Sequence, residues 1–278
     1  MSNRIQVNVV DHVADVVLNR PEKHNAVDRD MFEAFGAVGQ QLASDRSIRA
    51  VVLRGSGENF CAGIDISTFS SDGIDPQLMA PGADTPANFF QRAAYVWREL
   101  PVPVIAALHG VVFGAGLQIA LGTDVRISAP NAQLSIMETK WGIIPDMASM
   151  TSLPALVSYD KAMELTWSGR IVSGEEAAGI GLVTSLHDDP VARAKALAES
   201  LCHKSPDAVR AAKQLYLEAY ADRDAQLLRR EAELQMAVMA GANQAEAVAA
   251  NLQKRAPEFA DSTLGQARTA SERFQGRG

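Results

Sequence analysis

Apolar and polar residues alternate over 5–9, the pair Asp11-His12 interrupts them, and 13–18 runs on mostly apolar. A period of two predicts strands, and two such runs around a polar pair predict a β-hairpin. From 28 to 44 the period changes. Met31, Phe32, Phe35, Val38 and Leu42 recur at helical spacing, and Asp30 with Glu33 predicts a capped start. Residues 50–53 and 104–108 are short continuous apolar runs, the pattern of strands buried on both faces. Between them, 55–86 is rich in Gly, Ser, Asp and Pro and reads as a loop region with a short helical piece. Residues 89–100 read as a helix stopped by Pro101 and Pro103. A helix is predicted from about Gly114, and strands over 125–128 and 133–136. From about Ser149 the pattern is helical almost throughout, with helices over 148–157, 190–202, 206–220, 224–239 and 243–254. Ser173 and Glu176 predict a capping box for a further short helix ended by Gly179 and Gly181. Repeated strand–helix units followed by helices predict an α/β core over 1–200 and a helical C-terminal region over 201–278.

Composition narrows the function classes. The chain has 278 residues, 47% hydrophobic and 21% charged, ordinary for a soluble globular protein. Its net charge of −7 argues against a general nucleic-acid or anionic-membrane binder. Cys61 and Cys202 make no disulfide framework and no metal pair, which predicts a reducing, cytoplasmic setting. The mostly apolar stretch 102–122 approaches the length of a membrane span. Pro103, His109, Gln118 and four glycines interrupt it, so it reads as a buried strand, loop and helix.

The chemistry-bearing signals are few. The five histidines, at 12, 24, 109, 187 and 203, lack metal-ligand spacing, so no metal site is expected. Gly110, Gly114 and Gly116 do not complete a dinucleotide fingerprint, because Ile119 stands at its third glycine. Two segments place small residues just past a predicted strand: Asn59-Phe60-Cys61-Ala62-Gly63-Ile64-Asp65-Ile66 and His109-Gly110-Val111-Val112-Phe113-Gly114-Ala115-Gly116-Leu117-Gln118. Open α/β folds bind ligands there, and two such loops can aim two N–H donors at one oxygen. The same glycines also serve tight strand-to-helix packing. A third segment, 135–146, sets Glu138 and Asp146 among Trp141, Ile143 and Ile144. A carboxylate in apolar surroundings favours its protonated form, which suits acid–base work. Equally, Asp146 can cap the helix at 148–157 and Glu138 can pair with Lys140.

Taken in order, these residues resemble the enoyl-CoA hydratase/isomerase (crotonase) superfamily over nearly the whole chain. The resemblance rests on Leu18-Asn19-Arg20-Pro21 with Asn25-Ala26, the CAGIDI and HGVVFGAG segments, the segment from Met137 to Asp146, Gly181-Leu182-Val183, and the tail from Glu246 to Pro257. It implies a spiral of ββα turns with a helical C-terminal region used in forming trimers or dimers of trimers. It implies an acyl-CoA substrate, with coenzyme A entering as part of that substrate and no separate cofactor. The amides of Ile64 and Ala115 would hold the thioester oxygen of an enolate. The nucleotide would lie near Ala62, Gly63, Ile64, Asp65, Ile66 and Gly114, with Arg20 and Lys23 as phosphate partners, and Lys254 and Arg255 as weaker ones.

The pattern departs from the family's hydratases at 118, and at 146, where they usually carry a glycine. They carry two glutamates; Glu138 matches the second, but Gln118 stands at the first, and an amide cannot trade a proton at neutral pH. Asp146, eight residues after Glu138, is similar to the dienoyl-CoA isomerase branch, which shifts double bonds from the 3,5 to the 2,4 positions. The expected mechanism has Asp146 taking a proton near C2 and Glu138 delivering one at a remote carbon. The alternatives are a trans-2-enoyl-CoA hydratase with a water held by Gln118, and a non-catalytic acyl-CoA-binding homologue.

Overall fold

The computed structural model describes residues 3–65, 75–262 and 264. It opens with the hairpin β1 (Ile5–Val10) and β2 (Val13–Leu18), paired antiparallel from Ile5 opposite Leu18 to Val10 opposite Val13. Asp11 and His12 turn it with φ of 46° and 70°, the two positive values that a tight two-residue hairpin turn demands. Helix α1 (Arg29–Ser44) follows. Its cap is Asp28, whose carboxylate accepts from the Met31 amide at 3.0 Å, rather than the expected pair Asp30 and Glu33.

A parallel sheet grows from β2 through β3 (Ala50–Gly55), β4 (Val104–Leu108), β6 (Val125–Ser128) and the two-residue β9 (Ser185–Leu186). Helix α2 (Arg92–Glu99) lies between β3 and β4 in the chain. Three short strands, β5 (Val111–Phe113), β7 (Gln133–Ser135) and β8 (Val172–Ser173), build a second sheet. Three inner strands of the large sheet thus lead into the small one: β3 by a bridge at Cys61, β4 by β5, β6 by β7. With α3 (Ala115–Leu121) after β5, this is a spiral of ββα turns.

The apolar runs behave as strands buried on both faces must. Val51, Leu53, Val104, Ala106 and Leu108 face the main core with Phe35, Trp97 and Leu117. The alternate residues Ala50, Val52, Ile105 and Ala107 face Ala194, Ala198 and Cys202. The expected helix at 148–157 is broken, because Ala148 has φ 63° and Pro154 sits in the next turn. What forms is a short turn (Ser149–Thr151) and α4 (Leu153–Leu156). Then come α5 (Tyr159–Ser168), α6 (Gly174–Gly179) capped by Ser173, α7 (Pro190–Cys202), α8 (Pro206–Glu218), α9 (Ala221–Met239) and α10 (Ala242–Gln253). The stretch 102–122 resolves into β4, β5 and α3, and no helix among the described residues is long and apolar enough to cross a membrane.

Helix α3 lies so close to the segment after β3 that a Cβ on Gly116 would stand 2.5 Å from the Cys61 carbonyl oxygen and 2.8 Å from its Cβ. Gly116→Ala is therefore expected to destabilise the protein by about 1–3 kcal/mol in denaturant unfolding, as overpacking does. Gly179→Ala, where an added Cβ meets nothing within 4 Å, serves as the control and should cost nothing.

Candidate active site

The first loop is shaped by pairing on two sides. Cys61 donates its amide to Val111 O at 3.0 Å and accepts from Phe113 N at 3.0 Å. On the other side Ala62 N donates to His24 O, Val27 N to Gly63 O, and Asp65 N to Val27 O, all within 2.8–2.9 Å. In extended backbone, successive N–H groups point to opposite sides. With Asp65 N and Gly63 O both turned to Val27, the amide of Ile64 points the other way. Among the described residues no backbone acceptor meets it. Asn25, fully buried with φ 56°, holds this arrangement by donating to Ser56 O and Asn59 O and accepting from Arg20 N. The Asn25-Ala26 pair of the sequence thus has a structural cause.

The second loop comes off β5. Gly114 has φ 51° and ψ −119°, open only to glycine, and its amide donates to Ser135 O at 2.9 Å. Ala115 is the first residue of α3, so its amide has no partner within the helix, and none is found among the described residues. The two loops abut, since a Cβ on Gly63 would lie 4.0 Å from Ala115 N. Ile64 and Ala115 both line one cavity of about 120 Å³, and neither amide has a backbone partner among the described residues.

Glu138 and Asp146 line the same cavity, with Ile64, Met137, Trp141 and Ile143 as its apolar wall. The Glu138 Oε1 lies 3.2 Å from where a Cβ would stand on Gly114, the residue before Ala115. It accepts from Gln118 Nε2 at 2.6 Å, and its Oε2 is buried with no hydrogen-bond partner. Burial pushes its pKa up to about 7, against the pull of its own backbone amide, the Gln118 side chain and the Met137 backbone. Burial, and then the charges of Glu231 and Glu138, push Asp146 up to about 8. Both sequence alternatives fall: Asp146 caps no helix, and Glu138 faces inward while Lys140 stands over the Trp141 ring.

Gln118, only 1% exposed, has both ends engaged: Nε2 on Glu138, and Oε1 accepting from Met147 N at 2.8 Å. It is a strut between the two acidic segments. Sequence reasoning misses what stands behind them. Glu231 of α9 accepts from Ala148 N and Met150 N, each at 2.9 Å, and from Gln91 Nε2 at 3.1 Å. Gln235, one turn on, accepts from Ile144 N at 3.0 Å. The signal was present, since Asp224, Leu228, Glu231 and Gln235 share one helical face, but a buried face that is mostly polar reads as solvent-facing.

The expected nucleotide-side residues divide. Ala62, Gly63, Ile64 and Gly114 do line the cavity. Arg20, expected to meet a phosphate, is turned inward onto Asp65 at 2.7 Å, Asp28 at 3.6 Å and Ala26 O. That pairing makes Arg20 and Asp65 struts of the first loop. Lys23 is exposed nearby. Arg255 is paired with Glu246, and Ile66 lies outside the described residues. Burial pushes the Cys61 thiol up to about 12, so it is packing rather than nucleophile. Among the described residues no group of His, Cys, Asp and Glu could hold a metal ion.

Comparison with known proteins agrees with this geometry. The profile of the enoyl-CoA hydratase/isomerase family matches residues 9–262. The peroxisomal Delta(3,5)-Delta(2,4)-dienoyl-CoA isomerase of Arabidopsis thaliana is 32% identical over 268 residues, covering 92% of this chain and 95% of that one. The crystal structure of an enoyl-CoA hydratase/isomerase from Pseudoalteromonas atlantica superposes with a TM-score of 0.83 at 29% identity, over 93% of this chain and all of that one. An enoyl-CoA hydratase from Bacillus anthracis gives 0.70 at 28% identity, over 92% and 99%. With the spiral of ββα turns and the two-loop site in hand, the chain belongs to the enoyl-CoA hydratase/isomerase family.

Proposed function

We propose that this enzyme shifts the double bonds of a dienoyl-CoA thioester from the 3,5 to the 2,4 positions. The observation that carries the reading is the pair of buried carboxylates, both with raised proton affinity, in one cavity with the two unpaired amides. The shift moves only protons: C2 loses one and C6 gains one. One carboxylate can serve a transfer between neighbouring ends of a three-carbon unit. Carbons four bonds apart call for two. Coenzyme A enters with the substrate, and proton transfer needs no redox or metal cofactor. The resemblance to the Arabidopsis isomerase supports the same reaction.

The two roles are the reverse of those expected from sequence. Glu138 lies against Gly114, the residue before Ala115, which puts it on the side of the thioester oxygen and C2, and the Gln118 donor favours its anion. Asp146 faces the charge of Glu231, which favours its acid form. Glu138 therefore takes the C2 proton. The amides of Ile64 and Ala115 hold the oxygen as it gains negative charge, each such donor contributing about 10²–10³ in rate. Asp146 returns a proton at C6. A hydratase route through Gln118 is disfavoured, because its amide oxygen already accepts from Met147 N. The α8 face, with Leu215 and Tyr216 at 68% and 74% exposure, supports the expected assembly into trimers.

Asp146→Asn is expected to lower kcat for 3,5-dienoyl-CoA by about 10²–10⁴, the range for losing one essential acid. Gln118→Ala should cost far less. Isomerisation followed spectrophotometrically, with folding checked by circular dichroism, decides it. Near-full activity of Asp146→Asn, or wild-type hydration of 2-enoyl-CoA outrunning any isomerisation, overturns the assignment.

The pH profile follows from the same pair. Activity needs Glu138 ionised and Asp146 protonated, so kcat/KM should rise as pH passes about 7 and fall as it passes about 8. A flat rate from about pH 5 to about 9 would contradict this division of roles.

A further inference from the structure

Asp146 sits in a segment with little regular structure of its own, between Gly142 at φ 67° and Ala148 at φ 63°. Helix α9 grips that segment on both sides of Asp146. Gln235 takes the Ile144 amide, and the two oxygens of Glu231 take those of Met150 and Ala148. Glu231 is itself only 4% exposed and is fixed in turn by Gln91, whose side chain also donates to Leu228 O at 2.7 Å. We propose that Glu231 is a positioning residue for Asp146: it clamps the chain just after it by the amides of Ala148 and Met150 and supplies the negative charge that Asp146 faces. This rests on the reading of Asp146 as the acid of an isomerase.

The two contributions work together. The clamp fixes where the carboxyl group points, and a displacement of 1 Å at a reacting group can cost about 10²-fold in rate. The charge favours the proton-bearing form of Asp146. The charged groups acting on Asp146 are Glu231 from α9 and Glu138 from the cavity wall. Glu231 in turn faces Asp224, which is paired with Arg98 of α2 at 2.8 Å. The burial of Asp146 raises its proton affinity independently, so removing Glu231 should lower that affinity without returning it to the ordinary carboxylate value.

The test compares Glu231→Gln and Glu231→Asp with the wild type. Glu231→Gln removes the charge and one acceptor. It is expected to lower kcat by about 10-fold or more, with little change in KM, and to move the alkaline limb of the pH profile to lower pH. Glu231→Asp keeps the charge but shortens the reach, so it should lower kcat and leave that limb in place. It also serves if the glutamine variant does not fold. Asp146 is titrated directly in parallel by carbon-13 NMR of protein labelled at the aspartate carboxyls, its signal assigned by its loss in Asp146→Asn. A lower midpoint in Glu231→Gln supports the inference even if the wild type isomerises nothing, the result that would sink the isomerase reading alone. An unmoved midpoint and an unmoved limb in folded Glu231→Gln overturn it, as does wild-type kcat in Glu231→Asp.

Discussion

The site depends on five residues, Cys61 to Asp65, being held between the single bridge residue Val27 and the strand β5, which are far apart in sequence. Val27 pairs with them on one side and Val111 to Phe113 on the other. Each pairing uses up main-chain donors and acceptors in alternation, so the amide of Ile64 is left over by geometry rather than by a special side chain. The second pairing also fixes where β5 ends, and with it Gly114 and the start of α3. Two amides therefore converge because one short segment is shared by two ladders. The glycines at 63, 114 and 116 are the places where this contact leaves no room for a side chain or requires a backbone that only glycine adopts readily.

Around this frame the protein places two carboxylates that it could not keep charged at no cost. Removing a carboxylate from water without a full set of donors favours its protonated form. Glu138 has one side-chain donor, Gln118, and an orphaned Oε2. Glu231, equally buried, has three donors and is nonetheless raised to about 7. Burial raises all three acids, and Asp146, which also faces the charges of Glu231 and Glu138, rises furthest.

Much of this is legible in the sequence. The apolar runs at 50–53 and 104–108 are strands at those places, and the helices from 190 onward lie within a few residues of where periodicity puts them. What is not legible has a common cause. The strand β5 is three residues long and sits inside a glycine-bearing segment, too short for a period to show. The strands β8 and β9 have two residues each and exist only through pairing. The cap of α1 falls to Asp28 rather than Asp30 because the chain enters from the Val27 bridge. At the site, Glu138, Asp146 and the two loops are visible from local composition and family resemblance. The inward turn of Arg20 and the grip of α9 on 144–150 are not. The Arg20–Asp65 pair and the grip of α9 join residues 45 or more positions apart, and no local rule records them.

On the proposed reading the oxygen-holding donors are main-chain groups, which has a bearing on how such a protein can change over time. A substitution at 64 or 115 alters the wall of the cavity but leaves the N–H in place, provided the backbone accepts the new residue. Charge stabilisation is thereby inherited with the fold, whereas substrate shape and proton traffic are written in side chains that can vary one at a time. A chain built this way can drift toward a different acyl group, or a different proton itinerary, without first dismantling the part of the machinery that makes an enolate bearable.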